Sequence, residues 1–497
     1  MNARAPMLGA LAVAVLYVGV LAYPVHLHVV GTVSDFYLRF APDADRIARG
    51  KAPQNTYNPP GYPILLTLVS MLSGDHFTSG KWMSLFAGGL TGVLAFVLVR
   101  RLFGRDPALL TVPLILSSAV FTRYAITAMS DVPFVGVCVL AMIAITGDGP
   151  PLRRAILSGG LCGIACLIRY NGVFLLLPGL AAATWGRRPS SERVRSAAAF
   201  LVSFFLIVSP WLWANYHLHG SPFFATNHED VARLMRVSGP FGSIAEVVLQ
   251  HPILFARTYA SNLARNVANT LGASLALLPV GPLAAAGIVL SLARNRRKPV
   301  LLVLLAALSF LLLMALTHWE TRYYFFILVC WGGFAAYTIV ETGRWVGRRL
   351  DSRLTASATM TALALMILGP SSAAARRETV KTLSRQPVEL LPAARFLESV
   401  APPGATVMSI RAQIAYLSRR NYQPVPAADS AGALEALILA RPPSYLVYDR
   451  WARFLPSFQA LANPAATPPW LEAVYRQPSI VIYRVARAAP SVGAARR

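Results

Sequence analysis

Long apolar runs alternate with short polar segments along most of the chain. The runs lie near residues 7–30, 82–99, 107–121, 132–146, 155–168, 171–185, 196–214, 271–293, 299–317, 323–341 and 354–370. A helical run of about twenty apolar residues matches the hydrocarbon thickness of a bilayer. The pattern therefore predicts a polytopic α-helical membrane protein with about 11 transmembrane helices.

Basic residues recur in every second loop between these runs. They are Arg100, Arg101 and Arg105; Arg153 and Arg154; Arg187, Arg188, Arg193 and Arg195; Arg294, Arg296, Arg297 and Lys298; and Arg344, Arg348, Arg349 and Arg353. Loops rich in Arg and Lys are retained in the cytoplasm. The pattern therefore predicts a cytoplasmic N-terminus and places the other loops outside. The high alanine and arginine content favours a bacterial inner (plasma) membrane.

Two outer stretches of the predicted membrane module, residues 1–370, are longer than simple turns. Residues 31–75 form an outer loop in which we expect interfacial helices. Within it, residues 59–73 are apolar but short, and begin with two prolines that a first helical turn tolerates. Residues 215–270 form a long outer loop, which we expect to cover the functional site.

The chain after residue 370 has a different pattern. Residues 390–400 are helix-like, and shorter stretches alternate in polarity as strands do. The strand-like stretches are 405–410, 444–448 and 480–483. We therefore expect residues 371–484 to form a small α/β domain on the periplasmic side and residues 485–497 to be a disordered tail.

The amino-acid composition is typical of a membrane protein and bears on which partners it binds. Hydrophobic residues make up 55 % of the chain and charged residues only 13 %, whereas soluble proteins carry about 25 % charged residues. The net charge of +25 would suit nucleic acid. Because the basic residues lie in short loops between apolar runs, we expect membrane lipids and no nucleic acid as partners.

The four cysteines also lie inside apolar runs. Cys162 and Cys166 are spaced to share a helix face, which leaves a metal or redox pair as an alternative. We favour small packing residues, because no second pair of ligands accompanies them.

Acidic residues are rare, with Asp and Glu totalling 21 of 497 residues. Two of them, Asp35 and Asp131, lie at the ends of apolar runs. A carboxylate at a membrane boundary is costly to desolvate, so both are candidate functional residues. Each has a structural alternative: Asp35 can cap an interfacial helix, and Asp131 next to Ser130 fits a helix start.

Several short motifs occur in a recognisable order. They are Asp35 with Tyr37, Ala48-Arg49-Gly50, Pro59-Pro60-Gly61-Tyr62-Pro63, Ser130-Asp131-Val132-Pro133, Ile168-Arg169-Tyr170, Pro210-Trp211 through Asn215-Tyr216 to Gly220-Ser221-Pro222, and Arg322-Tyr323. This order resembles the GT-C superfamily of membrane glycosyltransferases. It is most similar to the protein O-mannosyltransferase-like group, family 39, and to the aminoarabinose lipid A transferases. The chain departs from them at Ser34-Asp35-Phe36, where relatives carry an Asp-Glu pair, so it has one acid there.

The resemblance implies a fold, an activity and a site. The fold would be of GT-C type, with the small α/β domain following the membrane module. The enzyme would be a hexosyl- or pentosyltransferase that takes the sugar from a polyprenyl-phosphate donor. The acceptor would be the hydroxyl of a lipid, glycan or protein at the outer face of the membrane. The reaction would invert the anomeric carbon.

The resemblance and the chemistry of the side chains together give individual residues candidate roles. Asp35 would be the general base, and Arg322 would bind the donor phosphate. Arg169 and Lys81 are further phosphate candidates, and Asp131 would bind the acceptor, hold a metal or orient a basic residue. Tyr37, Tyr62, Glu320 and Tyr323 would support these groups. For Arg322, an ion pair with Glu320 is the structural alternative. A divalent metal is left open, because two His-x-His pairs lie among the eight histidines.

Two other classes of protein remain as alternatives. A transporter or lipid flippase would usually place its charges near the bilayer midplane, on broken helices within repeated halves. In this chain the candidate charges fall at one predicted face, which favours the transferase. A membrane protein without catalytic activity, using the outer domain to bind partners, is the third possibility.

Overall fold

The computed structural model describes residues 4–186, 189–239, 241–273, 279–294 and 298–486. Most of the predicted disordered tail, residues 487–497, lies outside the described residues. The chain divides into two compact units. The first comprises the residues up to His28 together with Asp43–Ser384, and the second comprises Val29–Pro42 and the chain from Arg385 onward.

Helices build the first unit. In chain order, the helices up to the C-terminal region are α1 (Arg4–Leu27), α2 (Ala41–Ala48), α3 (Gly61–Ser73), α4 (His76–Phe103), α5 (Arg105–Leu116), α6 (Ala119–Ala125), α7 (Asp131–Ile145), α8 (Pro151–Ile168), α9 (Leu176–Thr184), α10 (Ser190–His219), α11 (His228–Met235), α12 (Ile244–Gln250), α13 (Pro252–Leu271), α14 (Val280–Arg294), α15 (Lys298–Met314), α16 (Phe325–Arg349) and α17 (Arg353–Ser384). Two 3₁₀ turns, Tyr170–Leu175 and Thr321–Tyr324, precede α9 and α16.

Every predicted apolar run carries a helix within the described residues, which confirms the helical membrane class. The number of about 11 spans stays a prediction. Among the residues that the structure describes, six helices are long and apolar enough to cross a membrane, and α5 with α6, bent by 68°, makes a seventh if the pair counts as one span. The runs near 132–146, 171–185, 271–293 and 299–317 carry helices shorter than 18 residues.

Local chemistry explains where several helices begin and end. The Asp75 carboxylate accepts a hydrogen bond from the Thr78 backbone N–H at 2.6 Å, which caps the start of α4. Gly74 ends α3 with a φ of 72°, a conformation that glycine adopts at low cost. The Ser118 hydroxyl accepts from the Phe121 N–H and starts α6 after the bend. Polar residues between apolar runs therefore set the helix boundaries.

The membrane unit is organised around α16. In the span that contains it, 94 % of the most apolar stretch is buried inside the protein. The same share is 22 % for α1 and for α10. A helix that is apolar all round belongs in the interior of a bundle, and helices with exposed apolar faces suit contact with lipid. The burial pattern thus fits a bundle that presents its outer helices to a bilayer.

The predicted outer loop 215–270 is largely helical, which the sequence interpretation did not foresee. It contains α11, α12 and almost all of α13. A small core of Val231, Met235, Phe241 and Val247 holds α11 and α12 together. Tyr57 donates a hydrogen bond to the buried Asp230 carboxylate and ties this segment to residues preceding α3.

The C-terminal part of the second unit is a small α/β domain, as predicted. Its helices are α18 (Leu390–Val400), α19 (Gln413–Leu417), α20 (Ala431–Ala440) and α21 (Pro456–Leu461), and its strands are β1 (Thr406–Ser409), β2 (Asn421–Pro424), β3 (Tyr445–Tyr448), β4 (Leu471–Gln477) and β5 (Ile480–Val485). The sheet order is β2-β1-β3-β5-β4. The first three strands are parallel, and β5 and β4 continue the sheet antiparallel.

The second unit also contains a segment that is remote in sequence. Residues Val29–Pro42 belong to it, and they include a π-helical turn, Phe36–Phe40, that follows Asp35. Phe36, Tyr37 and Phe40 are buried. The candidate base therefore lies on an element of the C-terminal unit, although the sequence places it next to the first membrane helix.

Candidate active site

Arg169 occupies a break between two helices. It ends α8 in an extended conformation, with φ of −150° and ψ of 133°, and the 3₁₀ turn follows directly. Gly172 permits this sharp turn, because a Cβ there would lie 2.5 Å from the Cys166 backbone nitrogen. The break directs the Arg169 guanidinium to the start of α7. There its Nη1 donates to Asp131 Oδ1 at 2.7 Å and to Ser130 Oγ at 3.2 Å.

Asp131 is almost completely buried at the first residue of α7. Its side chain is 1 % exposed, and the N-terminal dipole of the helix stabilises its charge. Ser130 holds the N-cap position without a side-chain capping bond. Oδ1 is occupied by Arg169, whereas Oδ2 has no hydrogen-bond partner among the described residues. Of the alternatives that the sequence left open, this geometry favours an acid that orients a basic residue.

Arg322 lies on the 3₁₀ turn that precedes α16. Its Nε donates to the Glu320 carboxylate, and only 9 % of its side chain is exposed. The guanidinium carbon lies 5.9 Å from the centre of the Tyr124 ring. The ion pair expected as the structural alternative is therefore present, and it orients a guanidinium that is largely buried.

Tyr323 connects the two arginines. The guanidinium carbons of Arg169 and Arg322 lie 4.9 Å and 5.2 Å from the centre of its ring, a distance at which cation–π attraction operates. The charge of Asp131 acts on Arg322 as well as on its direct partner Arg169. The structure thus brings together predicted residues from separate segments: Asp131, Arg169, Glu320, Arg322 and Tyr323.

Tyr62 reaches the same cluster from α3. It is fully buried, and the charge of Asp131 acts on its phenol. The preceding residue, Gly61, allows this approach, because a Cβ there would lie 2.5 Å from the Leu167 carbonyl oxygen near the end of α8. The Pro-Pro-Gly-Tyr-Pro motif therefore packs the start of α3 against the chain that leads into Arg169.

Lys81 makes different contacts from those expected of a phosphate ligand. It is 3 % exposed on α4, and its ammonium donates to the carbonyl oxygens of Val25, at 2.9 Å, and His28. It also lies 5.1 Å from the Phe77 ring centre. Because cations are favoured at the C-terminal end of a helix, these contacts secure the end of α1. A role for Lys81 at the phosphate remains a prediction.

A polar cavity of about 410 Å³ lies beside Arg322. Its lining includes Arg123, Tyr124, Trp319, Glu320 and Glu378. Arg123 Nη1 lies 3.3 Å from Glu378 Oε1. Neither Arg123 nor Glu378 was singled out in the sequence. Neither belongs to one of the sequence motifs, and no local signal relates positions so far apart in the chain.

An apolar cavity of about 420 Å³ adjoins the helix break after Arg169. Tyr170, Phe204, Trp211 and Leu316 are among its lining residues. Trp211 Nε1 donates to the Tyr170 hydroxyl at 3.1 Å. The Pro210-Trp211 motif therefore shapes the wall of an apolar space.

Asp35 and Tyr37 belong to the second unit. The Asp35 carboxylate is 26 % exposed and lies 3.7 Å from Arg39 Nη1. The Tyr37 hydroxyl accepts a hydrogen bond from the Gly31 N–H at 2.9 Å, which closes the segment on itself. Asp35 lies at the N-cap position of the π-helical turn but makes no side-chain capping bond there. Its geometry therefore does not support the alternative role as a helix cap.

A divalent metal would need several acidic or histidine side chains close together. Within the residues that the structure describes, no three His, Cys, Asp or Glu side chains converge as a metal site would require. The unpartnered Oδ2 of Asp131 is a single oxygen, and the other oxygen is committed to Arg169. A divalent metal therefore remains a prediction, and no step below is derived through one.

Comparison with known proteins gives a family match over part of the chain. Residues 57–213 match the dolichyl-phosphate-mannose-protein mannosyltransferase family. No curated protein sequence matches the chain. The family match covers the segment from α3 to α10, which carries Gly61, Asp131 and Arg169.

Two solved structures share the fold. One is ArnT from Cupriavidus metallidurans bound to undecaprenyl phosphate, with a TM-score of 0.61 and 16 % identity over 98 % of this chain and 99 % of that one. The other is the oligosaccharyltransferase AglB from Archaeoglobus fulgidus with an inhibitory peptide and a dolichol-phosphate. Its TM-score is 0.59 and its identity 14 %, over 89 % of this chain and 70 % of that one. The chain thus has the GT-C fold of membrane glycosyltransferases, as its motifs predicted.

Proposed function

We propose that this protein transfers a sugar from a polyprenyl-phosphate donor to an acceptor hydroxyl with inversion. The main support is the arrangement of Arg169 and Arg322 around Tyr323, beside a polar cavity. The two guanidiniums are largely buried, each is oriented by one carboxylate, and both lie against the same aromatic ring, so they form a fixed set of N–H donors. Such a site suits a phosphate, whose oxygens arginine binds in a bidentate manner.

The two guanidiniums would stabilise the leaving group. As the bond between the anomeric carbon and the phosphate oxygen breaks, its electron pair passes to the polyprenyl phosphate. Donors fixed in place before the reaction stabilise such charge by several kcal/mol. Asp131 and Glu320 fix Arg169 and Arg322 respectively. Arg123, on the wall of the same cavity, adds a further guanidinium.

Asp35 would act on the acceptor. Its carboxylate takes the proton of the acceptor hydroxyl, whose oxygen attacks the anomeric carbon from the face opposite the phosphate. The configuration at that carbon is thereby inverted. General-base catalysis of this kind contributes roughly 10²–10⁴-fold to the rate. The partial exposure of Asp35 is compatible with contact between the carboxylate and an incoming acceptor.

The proposal also includes the lipid of the donor and the membrane face at which transfer takes place. Both solved structures named above hold a polyprenyl phosphate, and the apolar cavity next to Tyr170 offers a surface compatible with isoprenoid units. The acceptor would be a lipid, glycan or protein at the outer face of a bacterial inner membrane. The alternation of basic loops supports this orientation.

The test is transfer from radiolabelled polyprenyl-phosphate sugars to total membrane acceptors. We expect label with the wild type and a loss of roughly 10²–10⁴-fold in Asp35→Asn. The matched control is Asp45→Asn, since Asp45 follows in the same outer stretch and pairs with His76 at 3.2 Å. Retained activity in Asp35→Asn would reject the base. No transfer from any donor by folded wild type would reject the transferase and favour lipid transport.

A further inference from the structure

Parallel strands in the second unit end beside the segment that carries Asp35. Arg411 follows β1, and Asp449 follows β3. The carboxyl ends of neighbouring parallel strands meet at one edge of a sheet, where α/β domains usually bind their ligands. At this edge Arg411 Nη1 donates to the carbonyl oxygen of Thr32 at 2.5 Å. A part of the chain itself therefore contacts the groups that would otherwise receive a ligand.

Arg411 is held in place from within the domain. Its guanidinium carbon lies 4.8 Å from the centre of the Trp451 ring, and the charge of Asp449 acts on it. Asp449 is 3 % exposed, and its Oδ1 accepts from the Trp451 N–H at 2.9 Å. A rigid aromatic surface and a buried carboxylate thus fix the guanidinium that contacts Thr32.

Further contacts fasten the same segment on both sides of Thr32. Gln386 Oε1 accepts from the N–H groups of Val29, at 2.7 Å, and Val30, at 3.2 Å. Gln413 Nε2 donates to the Thr32 carbonyl at 3.3 Å. The Tyr37 ring lies 5.7 Å from that of Tyr416. The backbone leading into Asp35 is therefore held by side chains of the C-terminal domain.

We propose that the C-terminal domain positions the catalytic base, with Arg411 as the principal positioning residue. It fixes the Thr32 carbonyl, three residues before Asp35, and its positive charge interacts with the Asp35 carboxylate. The domain thereby sets the direction of the carboxylate without touching substrate itself. This inference rests on the proposed role of Asp35 as base.

The experiment compares Arg411→Gln and Arg411→Lys with a matched control in the same domain. Arg450→Gln is that control, because Arg450 donates to the Glu389 carboxylate at 2.5 Å and 2.6 Å, whereas Arg411 donates to Thr32. A misplacement of about 1 Å costs on the order of 10²-fold in rate. We therefore expect kcat to fall roughly 10–100-fold in Arg411→Gln, with KM for the lipid donor little changed.

Arg411→Lys keeps the positive charge and can still donate a hydrogen bond, so it should recover part of the lost kcat. Arg450→Gln should leave kcat near the wild-type value. A second readout does not depend on activity. Hydrogen exchange at the amides of Val29, Val30 and Gly31 should accelerate in Arg411→Gln and stay unchanged in Arg450→Gln. Faster exchange in both variants would indicate general loosening of the domain and would overturn the specific role of Arg411.

The outcomes separate this inference from the proposed function. If Asp35→Asn is inactive while Arg411→Gln keeps wild-type kcat and exchange, only the positioning role is wrong. If Asp35→Asn is fully active, the base assignment is wrong. Faster amide exchange in Arg411→Gln would then show that Arg411 only holds the segment in its fold.

Discussion

Asp131 and Arg169 show how two charges can be kept in a largely buried position. The carboxylate lies at the N-terminus of α7 and the guanidinium at the end of α8, so a favourable helix dipole and a direct bond of 2.7 Å act on the acid. Removing one partner of a buried pair leaves the other charge uncompensated. The Asp131 side chain is 1 % exposed and that of Arg169 is 13 % exposed, so an unpaired carboxylate is the costlier charge to leave behind.

We predict that Arg169→Ala destabilises the protein more than Asp131→Asn does. The alanine leaves a buried carboxylate without its partner, at a cost of about 3–5 kcal/mol. The asparagine keeps the shape of the side chain and can still accept a hydrogen bond from Arg169. Thermal unfolding in detergent measures the difference. An equal or smaller loss in Arg169→Ala would contradict the prediction.

Asp449 gives the second unit a pH dependence. Burial raises its pKa to about 6, although the hydrogen bond from the Trp451 N–H and the charge of Arg411 act to lower it. Between pH 4 and 6 the folded state binds more protons at this group than the unfolded state does. The contribution of Asp449 to stability is therefore full below about pH 4 and is lost as the pH rises through about 6.

We expect this change to amount to about 2–3 kcal/mol. The difference in unfolding free energy between wild type and Asp449→Asn should shift by that amount between pH 4 and pH 7, with the wild type losing stability at the higher pH. Glu472→Gln, at an exposed acid of β4, is the control and should show little shift. A pH-independent difference for Asp449→Asn would contradict the assignment.

At the scale of elements, small residues decide where helices come close. Gly61 brings the start of α3 against the Leu167 carbonyl, and this contact places Tyr62 next to Asp131. We predict that Gly61→Ala forces α3 away and costs about 1–3 kcal/mol, with a loss of transfer activity. Gly19→Ala in α1 is the control, because no atom lies within 4 Å of the added Cβ. Equal Tm values for the two variants would reject the close contact.

The apolar pattern predicted the helices well, because a helix that meets lipid must be apolar over most of its length. Their ends were less predictable. Helix α17 continues to Ser384, well past the end of its apolar run near residue 370. Strand β2 is half exposed and has no hydrophobic alternation, so its sequence carries no strand signal. Helix ends and short edge strands depend on contacts that a local pattern does not contain.

The predicted site residues that lie together were found through short motifs whose order resembles a known superfamily. Asp131, Arg169 and Arg322 are far apart in sequence, and spacing alone would not have joined them. Arg123 and Glu378 were missed for that reason, since their pairing at 3.3 Å joins α6 to α17. The attachment of the Asp35 segment to the C-terminal domain through Gln386 and Arg411 is a second long-range pairing without a local signal.

At the scale of the whole molecule, the orientation in the membrane rests on the alternation of basic loops. Positive loops are retained in the cytoplasm, so the loop containing Gly149 should be inside and the C-terminal domain containing Gly432 should be outside. The native cysteines give a low labelling background, because Cys138, Cys162 and Cys330 are buried and Cys166 is partly buried. Both glycines are exposed, with open space where a side chain would begin.

Labelling of one introduced cysteine at a time with a membrane-impermeant maleimide tests this orientation. In intact spheroplasts, Gly432→Cys should be labelled directly, and Gly149→Cys only after permeabilisation. The reverse pattern would place the C-terminal domain in the cytoplasm and with it Asp35, which the structure assigns to the same unit. A sugar donor presented at the outer face would then be out of reach of the base. The labelling pattern therefore decides whether transfer at the outer face is topologically possible for this protein.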